Sequence, residues 1–139
     1  MIHRFLIAFA LAGSLVAQNQ CISSVSAPGC GPTATITFTP QGANGNNRID
    51  LTCNGLHPNG LGLMVWGQTP VNIPFGNCPL LVEFQWGHLI NLDSAGSYSW
   101  SRVWPWWADG YYYIQFGSIL DLSGQFTLLS TDRMRAECN

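Results

Sequence analysis

Three histidines, seven carboxylates and five cysteines are the residues of this 139-residue chain with the reactivity for catalysis or metal binding, and their spacing favours neither. His57 stands in GLHPNG and His88 in WGHLI. Neither has the second histidine of an HExxH helix or the serine of a G-x-S-x-G elbow beside it. Asp93, Asp109, Asp121 and Asp132 adjoin turn residues, where a carboxylate commonly accepts from nearby backbone N–H groups. Glu83 reads as an outward residue of a strand. A glycosidase needs two carboxylates flanking one sugar linkage, and nothing in this spacing brings two together. The chain is therefore expected to be no enzyme. Asp and Asn oxygens in the Gly-rich stretches ANGNNRID and NLDSAG make calcium the one cofactor to consider, although a regular D-x-D spacing is missing.

The cysteines (Cys21, Cys30, Cys53, Cys78, Cys138) show no CxxC spacing of the kind that holds zinc. The opening MIHRFLIAFALAGSLVA has the charged, apolar and small-residue order of a secretory leader, which sends them to an oxidising compartment. Two disulfides and one leftover thiol are expected, and spacing does not choose among the pairings. The apolar run is too short to span a bilayer comfortably. Residues 1–17 are read as the leader, 18–29 as an N-terminal link and 30–139 as one domain. The mature chain, without a membrane span, belongs outside the cell or on its surface.

Aromatic residues carry more information. RVWPWWADGYYYIQF (102–116) holds three of the six tryptophans and three of the four tyrosines. In a strand YYYIQF, the apolar Ile114 and Phe116 fix the buried face, which takes Tyr112 inward and leaves Tyr111, Tyr113 and Gln115 outward. Trp104, Trp106 and Trp107 fall in a stretch containing Pro105 and an Asp-Gly pair, a loop that cannot easily bury all three. Exposed indoles suit sugar stacking or a protein interface, whereas buried ones would cap one end of the core. Trp104, Trp106, Trp107, Tyr111 and Tyr113 are the candidate ligand or interface residues.

The elements that must position them are strands. TATITFT (33–39) and RIDLTC (48–53) alternate with period two, LGLMVWG (61–67) is a short apolar run buried on both faces, and LLVEFQW (80–86) alternates again. HLINL (88–92), SYSWSRV (97–103) with Trp100 in the core, YYYIQF (111–116) and GQFTLLSTDRM (124–134) complete about eight strands, with QTPVNIPFGNCP (68–79) an irregular crossover. The expected fold is all-β: a single antiparallel sandwich or jelly roll, stapled by disulfides. Without the leader, four arginines and no lysine face seven carboxylates, a formal charge of −3 that excludes nucleic acid as a partner. Only 9% of the chain is charged and 47% is apolar, which favours packing against a protein partner or a second copy.

The order of CGP (30–32), LGLMVWG (61–67), IPFGNCPLLV (73–82), LDSAGSYSW (92–100), YIQF (113–116) and DLSGQFTLL (121–129) resembles small secreted all-β modules of unassigned function in planctomycete-type bacterial proteins. The resemblance covers about residues 30–130. It implies a compact β-sandwich and a Cys30–Cys78 bond. If that bond forms, Cys21 and Cys138 are left to join the termini, with Cys53 a buried thiol. The modules supply no activity, and the aromatic load at 100–113 departs from them. The expected function is a secreted, non-catalytic structural or cell-surface interaction module that self-associates. The alternative is a carbohydrate-binding module stacking sugars on exposed Trp and Tyr.

Overall fold

The computed structural model describes residues 20–41, 46–104, 110–122 and 125–139. Every regular element among them is a strand. β2 (Ala34–Gln41), β3 (Asn46–Cys53) and β8 (Tyr98–Trp104) form one antiparallel sheet in that order. The second sheet runs β1 (Cys21–Ala27), β11 (Arg133–Cys138), β9 (Gly110–Leu122), β4 (Leu61–Gly67), β7 (Trp86–Asn91). β10 (Gln125–Ser130) pairs with the later half of β9, β11 with the earlier half. β5 (Pro70–Phe75) and β6 (Cys78–Val82) form a separate hairpin. The expected antiparallel, disulfide-stapled sandwich is what the chain forms.

The alternation seen in the sequence sets the core. Ala34 and Ile36, then Ile49, Leu51 and Cys53, turn inward from β2 and β3 to meet Met64, Ile90, Ile114, Phe116, Met134 and Ala136 of the facing sheet. Burying such side chains stabilises the fold by about 1.5–3 kcal/mol each. Between β7 and β8, Asp93 closes the predicted DSAGS turn: its Oδ1 accepts from the N–H of Ala95 (2.9 Å) and of Ser97 (2.8 Å). Gly96 adopts φ 70° there, against the backbone of Leu56, where a Cβ has no room.

Four expectations about elements need correction. Residues 21–27 are no link but an edge strand, paired along β11 from Cys21↔Cys138. Their Ser-rich sequence hides this because an edge strand over polar surroundings needs no apolar row; its burial pattern is mostly exposed. The 68–79 segment is no irregular crossover, since Pro70–Phe75 pairs with β6 through an irregular register that accommodates its prolines. LLVEFQW is broken: the Glu83 N–H donates to Thr69 O (3.0 Å) and that of Gln85 to Trp66 O (3.2 Å), turning the chain from the hairpin back to the sheet edge. The 124–134 stretch splits at Thr131, whose N–H donates to Phe116 O (2.8 Å) and whose Oγ1 accepts from Phe116 N–H (3.0 Å).

Gln115 was expected to face water with Tyr111 and Tyr113, yet it is 2% exposed. The β5–β6 hairpin covers that part of the outer face. Its Oε1 accepts from Leu81 N–H (2.9 Å), and its Nε2 donates to Pro79 O (3.2 Å) and Thr131 O (3.2 Å). The Arg133 guanidinium adds bonds to Leu81 O (3.1 Å) and Val71 O (3.4 Å). Cys30–Cys78 fixes the hairpin to the segment before β2, and Cys21–Cys138 joins β1 to β11. Both pairings match those implied by the resemblance, and two such bonds fit an oxidising environment. Cys53 is the free thiol and is buried. Burial pushes it up to about 11.

Candidate functional site: an aromatic cleft

The rows that face the core also build the site. On β8 the inward row is Tyr98, Trp100, Arg102 and Trp104, paired with Cys53, Leu51, Ile49 and Asn47 of β3. On β4 it includes Met64 and Trp66, which oppose His88 and Trp86 of β7 on one side and Phe116 and Ile114 of β9 on the other. Toward Tyr98 these rows close into the core, where Tyr98 packs on the buried Phe116. Toward Trp104 they leave a cleft of about 630 Å³, walled by Trp66, Trp86, Trp100, Trp104 and Tyr112, with Arg102 and His88 on its sides.

The rings hold one another in place. Trp66 meets Trp100 edge-on (centroids 5.2 Å apart, 77°) and lies parallel to Trp104 (6.3 Å, 2°), and Trp104 meets Tyr112 edge-on (5.0 Å, 78°). Such pairs add about 0.5–1.5 kcal/mol each beyond burial. Trp66, Trp100, Trp104 and Tyr112 are half-buried, while Trp86 at the rim is 63% exposed. A rim indole on a framework of fixed rings loses little freedom when a ligand stacks on it.

The structure separates the residues singled out in the sequence. Trp104 lies in the cleft, doing part of the core-capping work as well. Trp106, Trp107 and Asp109 lie outside the described residues, as do residues 1–17. Tyr111 and Tyr113 do point outward, but on the opposite face of the sheet from the cleft. Their rings meet edge-on (5.8 Å), with Arg135 over Tyr111 (5.2 Å) and Arg133 over Tyr113 (5.0 Å). One face of each tyrosine is thus already taken by a guanidinium. Sequence reasoning missed Trp66 and Trp86 as site residues, because only the β4–β7 register brings them together.

His57 and Asp132 serve the fold. His57 is buried, and Ser118 Oγ accepts from its backbone N–H (3.2 Å) while lying 2.9 Å from its Nδ1. Asp132 accepts from Gly29 N–H (2.8 Å) and Thr33 Oγ1 (3.1 Å). Among the described residues, no three His, Cys, Asp or Glu side chains gather as a metal site would require. No family model, curated protein or solved structure matches the chain.

A second concavity lies on the outer face. An aliphatic groove of about 430 Å³ runs between the β5–β6 hairpin and β4, β7, β9 and β10, lined by Leu61, Leu63, Phe75, Leu89, Ile119 and Leu128 among others. Leu89 is 69% exposed and Leu61 56%. Among the described residues, β7 is also an edge strand, paired with β4 alone.

Proposed function

We propose that this protein is a non-catalytic β-sandwich binding module whose aromatic cleft takes a carbohydrate chain. The observation that carries this reading is the cleft's composition: indole and phenol faces interleaved with N–H and O–H donors. A sugar has the complementary surface, apolar C–H faces edged by hydroxyls. The aliphatic outer groove offers no such mixture.

The test is binding of the purified protein to a panel of polysaccharides, followed by titration of the best ligand against Trp86→Ala. Trp86 is exposed enough for the variant to fold, and losing a stacking indole should weaken binding about tenfold or more. Absence of binding across the panel, or an affinity untouched by the substitution, removes the reading.

A second reading is favoured by the outer groove beside the unpaired edge of β7: self-association through that face. Apolar exposure next to free backbone N–H and C=O groups invites strand-to-strand pairing with another copy.

A further inference from the structure

Arg102 stands on the β8 wall of the cleft between Trp100 and Trp104 on the inward row. The other described arginines are engaged. Arg48 pairs with Asp50 at 2.9 Å and Arg135 with Glu137 at 2.9 Å, while Arg133 donates to backbone carbonyls and covers Tyr113. Among the described residues, Arg102 makes no hydrogen bond, ion pair or ring contact. Among the described residues no carboxylate lines the cleft, and His88 faces it from β7. In a chain with five basic residues and a formal charge of −2, an uncommitted guanidinium in the aromatic cleft is a specific placement.

The chemistry follows from the neighbours. A guanidinium presents N–H donors in a planar fork that fits two oxygens of one oxyanion. Arg102 is itself exposed at the side of the cleft, so a pair formed there keeps contact with water and is weakened by salt. A ligand that satisfies both the indoles and the guanidinium has stackable rings and an anionic substituent beside them.

We propose that the cleft selects acidic glycans, gripping a ring carboxylate or sulfate through Arg102 while a neighbouring sugar stacks on the indoles. This rests on the carbohydrate reading above. Neutral glycans would lack the group that satisfies the guanidinium.

Calorimetric titration of the whole purified protein tests it with three probes: an oligogalacturonate, its carboxyl-reduced neutral counterpart of equal length, and a sulfated oligosaccharide. Wild type should bind at least one anionic probe about tenfold or more tighter than the neutral one. Added salt should narrow that gap. Arg102→Gln should erase the preference, Arg102→Lys should keep part of it, and Trp86→Ala should weaken anionic and neutral probes alike. Preference for the uronate or for the sulfate identifies the substituent, and either supports the proposal. Equal binding of neutral and acidic probes, or a preference that survives in Arg102→Gln, overturns it while leaving the carbohydrate reading intact. No binding of any of the three probes overturns the acidic-glycan proposal, and the carbohydrate reading then stands or falls on the polysaccharide panel.

Discussion

At the scale of single residues, buried polar atoms count for more than exposed aromatic ones. Gln115 satisfies one N–H and two carbonyls from two separate segments, β6 and the turn at Thr131. Gln115→Ala strands those groups inside the fold, so unfolding in urea should show a loss of about 2–4 kcal/mol. Gln115→Leu should do no better, because filling the space leaves the Leu81 N–H unpaired. Cys53 makes a prediction in pH. Its thiol is raised by burial to about 11 from the ordinary 9.0, so the folded state holds its proton more tightly than the unfolded chain. The stability this contributes is complete below about pH 9 and is lost as pH climbs toward 11. Stability–pH curves should therefore fall over that window in wild type and fall less in Cys53→Ala. Native Cys53 should also resist alkylation at neutral pH.

Among elements, the hairpin and the two terminal strands depend on covalent ties. Cys30–Cys78 closes 48 residues and Cys21–Cys138 closes 117. Chain entropy gives about 4 kcal/mol for the first and about 5 kcal/mol for the second, as upper values. Replacing Cys30 and Cys78 together by Ser should release the hairpin, seen as rapid amide exchange at Leu80–Val82 and a lowered Tm. The strands legible in the sequence were those with an apolar row facing a core: Ile49, Leu51 and Cys53 in β3, or Tyr112, Ile114 and Phe116 in β9. β1 and β5 were not legible, since CISSVSA and PVNIPF lack such a row and owe their structure to partners elsewhere in the chain. The candidate site was half legible for the same reason. Trp104 could be named from its own segment, but its companions Trp66 and Trp86 sit on strands whose register is a tertiary fact.

Across the whole molecule, the two concavities lie on opposite faces of the larger sheet. The cleft is on its inner side, and the aliphatic groove and the Tyr111–Tyr113 pair are on its outer side. Binding and self-association should therefore be separable. Leu89→Asp should reduce concentration-dependent association in sedimentation while leaving glycan affinity within about twofold. Trp86→Ala should do the reverse. A single substitution that abolished both would place the two functions on one surface and contradict this arrangement.

The first and last described residues also bond to each other: Gln20 N–H donates to Asn139 O (3.1 Å) and Asn139 N–H to Gln20 O (3.2 Å), one step outside the Cys21–Cys138 bond. Mechanically, a tether pulled from both ends would load that sulfur–sulfur link and little else. The strands behind it would carry no tension, and the cleft would keep its shape under shear. Covalent closure at this point makes the module a pendant rather than a spring.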